Sequence, residues 1–175
     1  MACDTGVSVI NDIRGLRHRD ETGRPLLAKL AAETGSSLIV MHMQGEPSSM
    51  QDDPHYEDVV REVGDYLAVA TSRAVECGVA PERIAIDPGI GFGKTLAHNL
   101  QLLRDVDKLA ARGFPVLIGV SRKSLFEKLQ GLPVDQRLEA GLAASISVVH
   151  KGARILRTHD VLPTVRAVRV VESLI

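Results

Sequence analysis

Five short apolar runs, each ending in a polar or charged residue, recur along this chain of 175 residues. Their ends fall at Asn11, His42, Asp87, Ser121 and Arg157, so successive ends lie 31, 45, 34 and 36 residues apart. A unit of strand, turn and helix takes roughly 30 residues when eight of them fill about 250. The spacing therefore predicts five βα units with parallel strands and right-handed crossovers. An open doubly wound sheet and part of a closed barrel both satisfy it. A doubly wound sheet gathers its ligand where strand order reverses and has no need of functional side chains at every strand end. A barrel turns all its βα loops toward one mouth. All five ends are polar here, which favours a partial TIM (βα)8 barrel.

Residues 7–10 form the first predicted strand. Six residues precede it and leave its outer edge without cover, which points to missing sequence. A helix over 25–34 closes at Gly35, and a second strand follows over 37–41. The polar stretch 46–55 reads as a long βα loop, either a lid or a plain mobile connection. In 56–77, Val59, Val60, Val63, Leu67, Ala70 and Ala74 recur at helical spacing. Residues 83–87 make the third strand. Leu100, Leu103, Val106, Leu109 and Ala110 mark one further helix. The uniformly apolar run 115–120 is the fourth strand, covered on both faces. Ser124 and Glu127 form a capping-box pattern. Leu138, Leu142, Ile146 and Val149 mark the buried side of the next helix. The fifth strand begins at Ala153, and a last helix from Val161 directs Leu162, Val165 and Val168 inward.

A chain that is 45% hydrophobic and 25% charged folds, and 175 residues make one domain over 1–175. With 21 basic against 22 acidic side chains, no field steers nucleic acid or an anionic membrane, and the expected partner is a small molecule. Cys3 and Cys77 are too few for a disulfide framework and lack metal-ligand spacing, so reduced thiols and a cytoplasmic location are expected. No apolar run reaches membrane-spanning length, and Met1-Ala2-Cys3-Asp4 opens no secretory signal.

The richest stretch is Ile86-Asp87-Pro88-Gly89-Ile90-Gly91-Phe92-Gly93-Lys94. It is not a P-loop, because the required first glycine falls on Pro88, nor a dinucleotide loop, because Lys94 stands where glycine is needed. It leaves a carboxylate at a strand end beside a flexible rim. Asp87 suits a pair of parallel N–H donors such as the edge of a pterin or guanine ring, or equally a helix cap or internal ion pair. Asn11 could complete such an edge or merely shape a turn. Lys123, at a strand end beside a helix start, favours an anion or an electron-rich ring oxygen. Ser124 can cap that helix and reach a carboxylate as well. Arg157 and His159 flank Thr158 and point to one side, so they can converge on one phosphate or form a surface pair. His42 fits a satisfied interior histidine, and His18, His55, His98 and His150 have no partner in sequence, so no metal site assembles from these spacings. Together the residues describe a slot with a planar ring at one end and anionic oxygens at the other.

Five ordered motifs carry a family resemblance: Ile10-Asn11-Asp12-Ile13, Met41-His42-Met43-Gln44-Gly45, Asp87 to Lys94, Ser121-Arg122-Lys123-Ser124 and Arg157-Thr158-His159-Asp160. With them the chain resembles the dihydropteroate synthases of folate biosynthesis. The resemblance implies a TIM barrel, with these units similar to its strands four to eight. It implies condensation of p-aminobenzoate with 6-hydroxymethyl-dihydropterin pyrophosphate, assisted by Mg2+, in a cytoplasmic homodimer. Carried over, Asn11, Asp87 and Lys123 would hold the pterin and Met41 would pack beneath it. Arg157 would stack on the ring and, with His159, bind pyrophosphate, making Lys123, Arg157 and His159 the catalytic set. Phe92 and Ser124 would border p-aminobenzoate. Thr158 replaces a frequent valine. The family's first three strand-end motifs, including the metal-binding asparagine, have no counterpart. A C-terminal portion with little or no activity of its own is therefore expected, holding no metal ligand itself. Two alternatives stand beside it: the pterin-binding domain of a folate- or corrinoid-linked methyltransferase, and a non-catalytic half-barrel.

Overall fold

In the computed structural model, which describes residues 6–174, the five strands run parallel and lie side by side in chain order. They are β1 (Val9–Asp12), β2 (Ser37–Met41), β3 (Ile84–Asp87), β4 (Val116–Ile118) and β5 (Ala153–Leu156). Between them run α1 (Leu26–Thr34), α2 (Val59–Glu76), α3 (Leu96–Arg104), α4 (Val106–Ala110), α5 (Leu125–Gln130) and α6 (Leu138–His150), and α7 (Val161–Glu172) follows β5. Every crossover steps one strand onward in the same sense. Among the described strands no reversal of order hosts a doubly wound crevice, so the sheet is singly wound, a sector of a barrel. The predicted boundaries hold closely for β2, β3 and α1, but β1 begins two residues later and so includes Asn11 itself, α2 begins three residues later at Val59, and β4 is half the expected length, Val116–Ile118.

Period-two alternation sorts the strand residues. Leu38, Val40, Ile84, Ile86, Val116 and Ile118 join the helices in the core. Asn11 pairs in register with Ile39 and Ile39 with Ala85, while Met41 pairs with Asp87, so these residues share the opposite, concave face. α2 seals the core with the predicted stripe: Val59, Val60, Val63, Leu67, Ala70 and Ala74 are all buried. Each large side chain among them contributes about 1.5–3 kcal/mol. Asp58 starts that helix by accepting the N–H groups of Val60 and Arg61 at 3.1 and 3.0 Å.

Four local expectations are corrected. The single helix after β3 is broken at Asp105 into α3 and α4; Val106 and Leu109 are buried as marked, Leu103 packs half-buried against the core, and the unmarked Leu102 is fully buried. α6 turns Gly141, Ser145 and Val148 inward and leaves Leu138, Leu142, Ile146 and Val149 half-buried, because small residues let it approach the β4 end closely. The Ser124–Glu127 capping box does not form; Glu127 instead accepts from Arg137 at 2.8 Å. In α7 only Thr164 is buried; Val168 is half-buried and Leu162 and Val165 stay exposed, since among the described residues no strand lies beyond β5 to receive them. The outer edges of β1 and β5 carry no strand partner among the described residues. Cys3 lies outside the described residues, Cys77 is a half-buried free thiol, and no described helix is long and apolar enough to cross a membrane.

Replacing Asp58 by Ala removes the cap of the longest helix and is expected to lower stability by about 1 kcal/mol. A urea titration monitored by circular dichroism reads it as a lower midpoint with unchanged slope.

Candidate active site at the carboxyl ends of the strands

β3 delivers Asp87 to the mouth of the sheet at 1% exposure. One carboxylate oxygen, Oδ1, accepts the Gly89 N–H at 2.7 Å. The other, Oδ2, lies 3.0 Å from Nη1 of Arg157, which arrives from the end of β5. That pair is close but poorly aligned, and both atoms are buried without a hydrogen bond. The turn after Asp87 needs glycine. Gly89 has φ +68°, and a Cβ there would collide with the His42 carbonyl oxygen. Gly119 at the end of β4 admits the guanidinium of Arg157, whose Nη2 lies 2.9 Å from where a Cβ would stand.

Lys123 follows β4 and points back across β3. It donates to the Ile90 carbonyl oxygen, and its Nζ lies 4.5 Å from the centre of the Phe92 ring. Burial pulls its pKa down to about 8, with Asp87 opposing the shift and Arg157 adding to it, so the three charges share one field. Ser124 lies beside Lys123 along a small cleft that also includes Gln51, Gly91 and Lys94. Met41 is fully buried next to Asp87 in register. Asn11 is exposed on the concave face, one layer below the Met41–Asp87 level. His159 is exposed at the β5 end, where its backbone N–H and Nδ1 meet Ser121 Oγ at 3.2 and 3.1 Å. Sequence reasoning thus placed Asp87, Lys123, Phe92, Met41 and Arg157 in one cluster, and the structure brings them together. Arg157 and His159 have separate partners, Asp87 and Ser121.

Sequence reasoning missed Lys94 and Asn99. Lys94 is 1% exposed, and its Nζ meets His42 Nδ1 at 3.0 Å and the Phe92 carbonyl oxygen at 2.9 Å. Burial drives its pKa down to about 7, with Asp87 pulling the other way, and burial holds His42 neutral with a pKa of about 3. Asn99 fixes the turn by accepting the Gly91 N–H at 2.7 Å and donating to the Lys94 and Thr95 carbonyls. A lysine closing a glycine-spaced loop was the available signal for the first; nothing in sequence marked the second. His42 is the satisfied interior histidine expected.

Among the described residues no group of three or more His, Cys, Asp or Glu could hold a metal ion. Asp87 is engaged by Gly89 and Arg157 and lies near Lys94 and Lys123, a setting that repels a divalent cation.

The profile of a family described as pterin binding enzyme matches residues 1–159. The chain belongs to this family. It is 42% identical over 168 residues to a dihydropteroate synthase of Escherichia coli (strain K12), an alignment covering 96% of this chain and 57% of that protein. Among solved structures, dihydropteroate synthase from Thermus thermophilus in complex with 6HMPPP superposes with a TM-score of 0.90 at 42% identity, over 99% of this chain and 66% of the other. The same enzyme in complex with 4-aminobenzoate gives 0.91 at 41%, over 99% and 65%. The chain thus spans about three fifths of the length of the relatives it matches.

Two outcomes test this geometry. Gly89→Ala is expected to cost about 2 kcal/mol or more in urea unfolding, from the clash and the positive φ together. The lysine gives a pH signature. Its folded pKa of about 7 lies below the ordinary 10.5, so from pH 7 to 10 the unfolded chain binds the extra proton and stability rises with pH. Wild-type unfolding free energy should gain on the order of 1–2 kcal/mol relative to Lys94→Met between pH 7 and 9. A difference that stays flat over that range contradicts the buried amine.

Proposed function

We propose that this chain forms the pterin- and pyrophosphate-binding wall of a dihydropteroate synthase. The observation that carries this is the meeting of Asp87, Lys123 and Arg157 at the mouth of a singly wound parallel sheet. Such a site takes a ring with two adjacent N–H donors at the carboxylate and a polyanion at the cations. Asp87 Oδ2, buried without an aligned partner, is the acceptor for one of those donors. When the ring occupies it, Arg157 is released from the carboxylate to lie along the ring and meet the pyrophosphate, with His159 held beside it by Ser121. Asn11 reaches the ring from the layer below, Met41 packs beneath it, and Phe92 and Ser124 border the p-aminobenzoate.

The substitution breaks the bond from the pterin methylene carbon to the pyrophosphate oxygen and forms one from that carbon to the amine nitrogen of p-aminobenzoate. The pyrophosphate leaves with the electron pair, and the proton lost by the amine passes to the departing pyrophosphate or to solvent. Fixed cations at the departing oxygens lower the barrier because they are already oriented when charge develops there. Lys123, next to the electron-rich ring, acts on the same charge flow. No covalent bond to the protein is needed.

Magnesium, homodimer assembly and residence in the cytoplasm belong to the same proposal. The described residues do not fit Mg2+, so a magnesium ion would be held by others, and no step here runs through it. Turnover by this chain alone is proposed to be weak, because Ile155 and Asn11 on the concave face are open to water.

Titration calorimetry with 6-hydroxymethyl-7,8-dihydropterin pyrophosphate and with p-aminobenzoate tests the assignment. Asp87→Asn is expected to weaken the pterin ligand by about 10–100-fold, the worth of a charged hydrogen-bond pair, and to leave p-aminobenzoate within about threefold. Unaltered pterin affinity in that variant, or no pterin binding by the wild type, contradicts it.

A further inference from the structure

The amine of Lys94 takes no part in the chemistry above, yet its placement is costly. A lysine enclosed this completely forfeits hydration, and a methionine would fill the same space without that penalty. What the amine does instead is join two loops. His42 closes β2, and Phe92 lies in the turn after β3; Nζ of Lys94 reaches the ring nitrogen of the first and the carbonyl oxygen of the second. The rest of that turn has other supports. Asn99 accepts from Gly91, and the Tyr56 hydroxyl donates to the Gly93 carbonyl at 2.9 Å. Only the Phe92 peptide carbonyl depends on Lys94. Beyond it the Phe92 side chain lies against the Lys123 ammonium, at the edge of the slot. Asp87 takes its hydrogen bond from Gly89 and its ion-pair contact from Arg157; Lys94 makes no bond to it and reaches it only through its field.

We propose that Lys94 is a positioning residue that sets the Phe92 ring at the p-aminobenzoate side of the site by tying the Phe92 carbonyl to His42 at the end of β2. The ligand named here rests on the function proposed above; the placement of the ring does not. Lys94 therefore governs one half of the slot and leaves the carboxylate half intact, because its two bonds go to Phe92 and His42 and neither goes to Asp87.

Two measurements on the 175-residue chain test this, each on Lys94→Met and Lys94→Gln. The first is the nuclear Overhauser contact between the Phe92 ring and the Lys123 side chain. It is expected in the wild type, absent in Lys94→Met, and at least partly restored in Lys94→Gln, whose amide still donates to the carbonyl. Persistence of the full contact in Lys94→Met, or its absence from the wild type, overturns the proposal. The second is calorimetric affinity. Lys94→Met is expected to weaken p-aminobenzoate by at least about tenfold and 6-hydroxymethyl-7,8-dihydropterin pyrophosphate by less than about threefold, with Lys94→Gln between. Equal losses for both ligands signal a general structural role and overturn it. Should Lys94→Met fail to fold, the glutamine variant decides by the same two criteria, retention of the contact and of the ligand split. If the wild type binds neither ligand, the proposed function falls and the ring contact alone settles the role of Lys94.

Discussion

One buried carboxylate sets the terms for everything around it. Asp87 has given up its hydration, and an ion of that size left alone in a protein interior costs several kcal/mol. Its compensation comes from the Gly89 N–H, from Arg157 across two strands, and from the fields of Lys94 and Lys123. The dependence runs both ways, since Asp87 raises the pKa of both lysines against the effect of their burial. Yet the compensation is incomplete: the Asp87–Arg157 contact is short but misaligned, and its two facing atoms find no hydrogen bond. A site that were purely structural would be expected to close that gap. One that must release Arg157 to an anion and offer its acid to a ring gains by leaving it open.

The strand register is what makes this convergence possible. Parallel strands that step in one direction present their carboxyl ends to a common mouth, and the pairing of Met41 with Asp87 fixes both on the concave face at one level. A slip of one residue would send Asp87 into the helix-facing core and Ile86 into the mouth. The glycines protect this arrangement locally. At Gly89 the chain passes against the end of β2, and at Gly119 it makes room for a guanidinium from the next strand.

Much of this was legible in the sequence, and the parts that were not share a cause. The ends of β2, β3 and β5 could be read because apolar runs stop abruptly at His42, Asp87 and Arg157, whereas β1 runs on through Asn11 and β4 stops three residues before Ser121. α2 could be read because six apolar positions recur at helical spacing, although its Asp58 cap went unread and its start lies three residues later than expected. The failures came where a tertiary contact outweighed a local pattern. Arg137 drew Glu127 away from a capping box, the small residues Gly141 and Ser145 turned α6 against its apolar count, and α7 kept an apolar face with nothing to cover it. Lys94 was weighed only as part of the glycine-spaced loop, against phosphate and dinucleotide patterns and within the family motif, because an isolated lysine gives no sign in sequence that it will be enclosed. Its partner His42 lies 52 positions away.

Solvent access decides how strong the site can be. The side chain of Arg157 is 39% exposed while that of Asp87 is 1% exposed, so their attraction is partly screened by water on one side only. Charges held in a closed, dry mouth act several times more strongly on a departing anion than the same charges facing solvent. Among the described residues the outer edges of β1 and β5 have no strand partner, α7 keeps an exposed apolar face, and Ile155 on the concave face is open to water. Covering them would not need to move Asp87, Lys123 or Arg157, which are already held by β3, β4 and β5. It would lower the dielectric around them, strengthening the grip on a pyrophosphate and raising the cost of leaving Asp87 Oδ2 unsatisfied. In this architecture binding geometry is set by the five strands, and catalytic strength by whatever excludes water from their concave face.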